Sequence, residues 1–211
     1  MPDTDKIVFF HSPQSRSAGT RVLLEELNAP YAMRVLNMRA GELRQPAFLA
    51  INPMGKVPAI LHNGVLVTEQ VAINVFLADL FPAAGLTPAI GDPRRGPYLR
   101  WMAFYAACYE PAVVDKAMKR EPGPLAMSPY GTFETVMDVV NTQLRAVPYM
   151  LGDSFTVADV LWGGALGWTT QFGLVPKTPE IEAYIERTSS RPAFRRVKQQ
   201  DAELAAAQKP S

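Results

Sequence analysis

The sequence predicts an α/β domain followed by an all-α domain. Three observations predict it: a strand–helix–strand pattern near the start of the chain, an Asn-Gly hairpin signal at Asn63-Gly64, and the loss of strand-like runs beyond a stretch rich in proline and glycine. Lys6-Ile7-Val8-Phe9-Phe10-His11 is a short apolar run of strand formers, broken by Ser12-Pro13. Thr20, Leu23, Leu24 and Leu27 recur at i, i+3, i+4 and i+7, one face of a helix that stops near Asn28-Ala29-Pro30. Tyr31 to Leu36 reads as a second strand. The crossover between two such strands implies a parallel pair.

Glu42 to Leu49 reads as a short helix ended by Asn52-Pro53-Met54-Gly55. Val57 to Leu61 and Val65 to Val67 are two apolar runs joined through His62-Asn63-Gly64, and Asn-Gly suits a two-residue hairpin turn. Ile73, Phe76, Leu77 and Leu80 mark a further helical face. The predicted order is β-α-β-α-β-β-α over residues 1–82, a compact mixed sheet covered by helices. Residues 83–93 read as a linker, within a stretch from Phe81 to Pro93 that holds three prolines and two glycines. Residues 94–211 read as helical throughout. Leu99, Met102, Ala103 and Ala106 keep helical spacing, as do Val136, Val139 and Val140, and Thr156-Val157-Ala158-Asp159 is a capping box. Tyr184 to Arg187 and Phe194 to Leu204 suggest two more helices, separated by Arg191-Pro192.

Composition narrows the function. The 211 residues carry a net charge of +1, so no overall field favours nucleic acid or an anionic membrane surface. One cysteine, Cys108, excludes an internal disulfide, and two histidines argue against a histidine-rich metal site. The N-terminus lacks a basic flank before a long apolar run, and no stretch is long enough to span a bilayer, so a cytoplasmic protein is expected.

The segment Asn52-Pro53-Met54-Gly55-Lys56-Val57-Pro58-Ala59-Ile60, followed by Thr68-Glu69-Gln70-Val71-Ala72-Ile73, carries most of the functional information. An X-Pro bond opening a strand is the kind that adopts the cis form, which turns the Val57 N–H and C=O outward to pair with an extended peptide. A helix beginning near Glu69 offers free N–H groups to a carboxylate, and Glu69 itself can accept from an ammonium group. A short γ-linked peptide with an amine and carboxylates fits both features. Each half alone is an ordinary strand start or helix start; the pair, in this order after a βαβ unit, is specific.

This pair resembles the glutathione-binding signature of the cytosolic glutathione transferases, most closely the bacterial beta class. The resemblance extends through the linker, the Thr156–Asp159 box and Arg191-Pro192-Ala193. It implies a thioredoxin-like first domain that binds glutathione as co-substrate, with no metal, and an all-helical second domain. By the same resemblance Val57 and cis-Pro58 hold the cysteinyl backbone, Glu69 and Gln70 contact the γ-glutamyl end, Lys56 lies near the tripeptide, and Arg39 meets the glycyl carboxylate. Many relatives have serine where Gln70 stands. A homodimer is expected on the same ground.

A transferase needs glutathione as thiolate, whose pKa falls near a helix N-terminus, a cation or a good donor. In the family a Tyr, Ser or Cys between the first strand and first helix does this. Here that loop offers Ser12, Ser15 and Ser17 as donors, with Arg16 for positive potential, although serine is also a preferred helix cap. Aligned through Leu24-Glu25-Glu26-Leu27, the beta-class cysteine corresponds to Arg16 and the catalytic serine of other classes falls near Gln14, so analogy alone does not choose the donor. Trp101, Phe104, Tyr105, Cys108 and Tyr109, with Trp168 or Phe172, are expected along an apolar wall for the electrophile, or else in the helix-packing core. The expected activity is conjugation of glutathione to small hydrophobic electrophiles. Alternatives are glutathione-dependent isomerase, dehalogenase or peroxidase chemistry, and a non-catalytic interaction or regulatory module.

Overall fold

The computed structural model describes residues 7–120 and 123–208; Lys6, with which the first apolar run begins, lies outside them. Two compact units emerge, one of residues 1–84 with 191–211 and one of residues 85–190. The first holds a four-stranded sheet in the order β2-β1-β3-β4, built from β1 (Ile7–His11), β2 (Tyr31–Val35), β3 (Ala59–His62) and β4 (Val65–Val67). β1 pairs parallel with β2, as a crossover through α1 (Ser17–Glu26) requires, and antiparallel with β3. The mixed sheet and the helical second unit agree with the predicted fold class.

Alternation along β1 builds two layers. Ile7, Phe9 and His11 are fully buried on one side with Leu23 and Leu24 of α1 and Ile73 and Leu77 of α3 (Gln70–Leu80). Phe10 points the other way, into a cluster with Leu43, Phe48 and Ala59, its ring 5.5 Å from that of Phe48. Each of the large apolar side chains among them contributes about 1.5–3 kcal/mol through burial. The hairpin turn closes on Asn63 (φ 52°) and Gly64 (φ 79°), the left-handed pair that an Asn-Gly loop supplies.

Three expectations change. Residues 42–49 do not form one helix: a 3-10 turn at Glu42–Arg44 precedes α2 (Pro46–Leu49), because Pro46 has no N–H to continue a ladder and instead starts a new turn. β3 starts at Ala59, after Pro58, for the same lack of a donor. The C-terminal helix α9 (Pro192–Ala207) belongs with the first unit, not with the helical domain. It buries Ala193, Val197 and Asp201, and is pinned to α1 by the fork of Arg191 on Glu26 (2.8 and 2.7 Å).

The second unit holds α4 (Arg95–Phe104), a π-helical turn at Tyr105–Tyr109, α5 (Glu110–Ala117), α6 (Phe133–Ala146), α7 (Val157–Gln171) and α8 (Pro179–Ser189). The capping box opens α7 as predicted. Trp162 forms the centre of the unit, with Trp101, Tyr105 and Tyr109 ringed around it at 4.9–5.6 Å between centroids. Among the described residues no helix is long and apolar enough to cross a membrane.

Candidate active site

β1 delivers His11 to the α1 side of the sheet, and the chain must then turn back at once to start α1. Gln14 takes a left-handed conformation (φ 56°) to make that turn. The loop is held by hydroxyls. Ser17 Oγ lies 2.8 Å from His11 Nδ1, accepts the Ser12 N–H at 3.1 Å, and sits 2.7 Å from Ser15 Oγ. Ser15 Oγ donates to the Ser12 carbonyl at 2.7 Å and accepts the Ser17 N–H at 3.2 Å. Ser12 and Ser17 are 1% and 0% exposed, whereas Ser15 is half-buried. Arg16 occupies the N-cap position of α1, so the positive end of the helix faces this loop.

On the other side of the ring, His11 Nε2 contacts Asp201 Oδ1 at 2.8 Å, off the line of an ideal hydrogen bond. Asp201 Oδ2 accepts the Gln14 N–H at 2.8 Å. Burial pushes the Asp201 carboxyl up, but the His11 and Gln14 donors and the Arg21 charge outweigh it and hold the group below the usual aspartate value. Arg21 in turn donates to Gln200, the neighbour of Asp201. A cavity of about 120 Å³ opens beside this loop, lined by Ser12, Gln14, Met38 and Arg39 and by Ala205 and Gln208 of α9. Arg39 donates to Gln14 Oε1 at 2.9 Å. Ser12 Oγ is buried with no hydrogen-bond partner among the described residues.

The Asn52–Gly55 turn explains its own composition. Asn52 is 3% exposed; its amide donates to the Lys56 carbonyl at 2.8 Å and its Oδ1 accepts the Met54 N–H at 3.1 Å. Gly55 has φ +57°, and a Cβ there would meet the Leu43 carbonyl at 2.6 Å. The Val57-Pro58 bond is cis. The Val57 side chain packs inward on the Phe10 cluster, and Lys56 is exposed.

Glu69 heads α3 with φ 65° and ψ 117°, a conformation that costs a non-glycine residue about 1–3 kcal/mol and that tends to occur at ligand sites. The next residue, Gln70, reaches across to donate to the Arg16 carbonyl at 3.0 Å. Its amide also fills the space over Gly19, where a Cβ would lie 2.9 Å away. Thus the three serines, Arg16 and Gln70 meet at the start of α1, and Arg39 joins through Gln14; among the described residues no hydrogen bond or ion pair links Lys56 or Val57 to them.

In the second unit Trp101, Tyr105 and Tyr109 are enclosed, at 4%, 5% and 1% exposure. The Tyr109 hydroxyl is 2.7 Å from Thr169 Oγ1, and burial raises the phenol well above its ordinary value. Phe104 and Cys108 are half-buried, and burial pushes the Cys108 thiol up against the pull of Arg100. Trp168 and Phe172 are 45% and 59% exposed, with ring centroids 4.8 Å apart.

His11 and Asp201 are site residues the sequence reading missed. One signal pointed to Asp201: it falls on the buried face of α9 with Ala193 and Val197, where an acid is out of place without a partner. His11 continues the buried Ile7–Phe9 alternation with a polar ring.

Comparison with known proteins identifies a family for both parts of the chain. Residues 6–79 match the family described as glutathione S-transferase, N-terminal domain, and residues 112–192 match glutathione S-transferase, C-terminal domain. A glutathione S-transferase of Hyoscyamus muticus is 26% identical over 200 residues, covering 87% of this chain and 94% of that protein. The crystal structure of a glutathione transferase from Methylococcus capsulatus (Bath) superposes with a TM-score of 0.78 at 29% identity, covering 93% of this chain and 99% of the other. A Sulfitobacter glutathione transferase homologue, solved with bound glutathione, superposes at 0.75 with 25% identity, over 92% of this chain and 98% of that one.

Proposed function

The chain belongs to the glutathione S-transferase family and is a glutathione transferase, and we propose that it adds the glutathione thiolate to small hydrophobic electrophiles. The observation that carries this reading is the convergence, at the start of α1, of serine hydroxyls, the Arg16 N-cap and the Gln70 amide, with the strained Glu69 beside Gln70.

A free thiol near pKa ~8.5 is only a few per cent thiolate at neutral pH. Each 1.4 kcal/mol of extra stabilisation of the anion lowers that pKa by about one unit. In this reading a hydroxyl donor among Ser12, Ser15 and Ser17, the Arg16 charge and the positive end of α1 supply it, and the thiol proton leaves to solvent. The tripeptide is held by Val57 and Pro58 at the cysteinyl backbone, by Glu69 and Gln70 at the γ-glutamyl end, and by Arg39 and Lys56 near the glycyl end. With an aryl halide, the sulfur lone pair forms the new C–S bond and the halide departs with the electrons of its own bond to carbon. A homodimer is part of the same reading, and light scattering tests it.

Isothermal titration with glutathione, run beside a conjugation assay with a generic aryl halide, tests the proposal. Saturable binding with conjugate formation is expected. Absence of binding at millimolar glutathione contradicts the reading, and binding without conjugation redirects it to isomerase, dehalogenase or peroxidase chemistry.

A further inference from the structure

We propose that Asp201 and His11 are positioning residues that fix the direction of the Ser17 hydroxyl and so make Ser15, rather than Ser17, the hydroxyl that meets the glutathione sulfur; Ser12 Oγ, buried and without a partner among the described residues, is the competing donor that the variants below separate from it. The inference rests on the transferase reading above and names the donor that reading leaves open.

The argument is a count of protons. An ionised carboxylate only accepts, and the Asp201 charge 2.8 Å from Nε2, although off the line of an ideal hydrogen bond, favours the ring tautomer that carries its proton on that nitrogen. Nδ1 is then an acceptor, and among the described residues the group in reach is the Ser17 hydroxyl at 2.8 Å. A serine has a single proton. Once that of Ser17 is directed at His11, its longer contact to the Ser12 carbonyl (3.2 Å) is the weaker use of it. Ser17 Oγ becomes an acceptor for the Ser12 N–H at 3.1 Å and for the Ser15 hydroxyl at 2.7 Å. Ser17 is wholly buried and has no proton left for a ligand.

Ser15 differs in two respects. It is half-buried, whereas Ser17 is enclosed. Its oxygen accepts the Ser17 N–H at 3.2 Å at the start of α1, which polarises the O–H and makes it a better donor. In the structure that proton rests on the Ser12 carbonyl or Ser17 Oγ, both at 2.7 Å, and a thiolate offers it a charged acceptor instead. Asp201 lies in the C-terminal helix, 186 residues from Ser15, and its other oxygen fixes the loop itself through the Gln14 N–H. Arg21 of α1 is the further charged group facing Asp201, and it favours the ionised carboxylate on which the count depends.

The test is the pKa of enzyme-bound glutathione, followed by thiolate ultraviolet absorbance on the full chain at saturating glutathione, together with kcat and KM for aryl-halide conjugation. Ser15→Ala is expected to return the bound thiol toward its free pKa and to lower kcat/KM about a hundredfold, the cost typical of losing one donor to a reacting anion. Ser15→Thr, which keeps the hydroxyl, restores most of it. Asp201→Asn and His11→Gln are each expected to raise the thiol pKa in part and to lower kcat about tenfold with KM for glutathione nearly constant. Asp201→Asn adds nothing in the Ser15→Ala background. The proposal is overturned if Ser12→Ala or Ser17→Ala, and not Ser15→Ala, abolishes the pKa depression. It is equally overturned if Asp201→Asn lowers only the unfolding midpoint, or if its effect adds in full to that of Ser15→Ala. If wild-type enzyme leaves the bound thiol at its free pKa, the transferase reading itself fails, and the pattern of variants no longer matters.

Discussion

Both units bury an aspartate that ties down backbone amides, and the two sit in opposite surroundings. Asp159, at the start of α7, is fully buried and accepts four donors: the Met150 and Thr156 N–H groups, both at 2.8 Å, the Tyr184 hydroxyl at 2.8 Å and the Thr156 hydroxyl at 3.0 Å. Among the described residues its partners are all neutral, so burial dominates and lifts its pKa in spite of these donors. Asp201, on α9, has a single backbone amide, a histidine ring and a nearby arginine, and its pKa falls. A carboxylate saturated by neutral donors is a rivet: it fixes a helix start and has nothing left to share. A carboxylate that leans on a histidine whose other nitrogen reaches a hydroxyl chain transmits a proton preference to the next group. The same residue type therefore stabilises one unit and tunes chemistry in the other.

The comparison is broken most forcefully at Asp159. Asp159→Ala strands two buried amides and the Tyr184 hydroxyl and is expected to cost about 4 kcal/mol, read as the shift in denaturant midpoint. Next comes Gly163, one turn further along α7, where a Cβ would meet Thr188 Oγ1 at 2.5 Å and Thr188 Cβ at 2.7 Å. Thr188 lies on α8 one turn past Tyr184, so Gly163→Ala pushes away the helix that supplies a donor to Asp159. A loss of roughly 2–3 kcal/mol is expected, with much of it recovered by adding Thr188→Ala. Arg191→Ala is milder, at about 1 kcal/mol, because Arg191 is part-exposed. It loosens the helix that carries Asp201, so turnover is expected to fall further than stability does.

The smallest effect is the one that separates the two aspartates by sign. Asp201 has a folded pKa below its unfolded one, so its contribution is present above the unfolded value near ~3.9 and is lost as pH falls through the folded value. Asp159 has a raised folded pKa, so its contribution is complete below ~3.9 and is lost as pH rises through the folded value. Denaturant midpoints measured across the acid range should show Asp201→Asn flattening the acid limb of the stability curve and Asp159→Asn steepening it. Parallel curves for the two variants would contradict the contrast.

How much of this was legible in the sequence follows from the range of each interaction. Local signals read well. The Asn63-Gly64 hairpin, the Thr156–Asp159 box and the βαβ order depend on residues a few positions apart, and each is present. The Gly55 requirement is equally local, since its φ and the nearby Leu43 carbonyl both arise within one turn and its neighbour. What failed to show depends on contacts made across the chain. Nothing near Pro192 announces that α9 returns to α1, and the linker marks only the first of the two crossings between units. The helical spacing of Leu99, Met102, Ala103 and Ala106 marked a helix but not its buried face: of these only Met102 is enclosed, while Trp101, Tyr105 and Tyr109 turn inward because Trp162, over fifty residues later, takes up their rings. The serine loop was found, and its ordering was not, because the groups that order it are a strand-end histidine and an acid near the C-terminus.

The most direct measurement is proton release on binding. Calorimetric titration of the protein with glutathione near neutral pH, in buffers of different ionisation enthalpy, counts protons given up as the complex forms. If the site captures glutathione as thiolate, release approaches about one proton per site and vanishes with S-methylglutathione, which has no thiol proton to lose. Binding with the same proton count for both ligands would contradict the account.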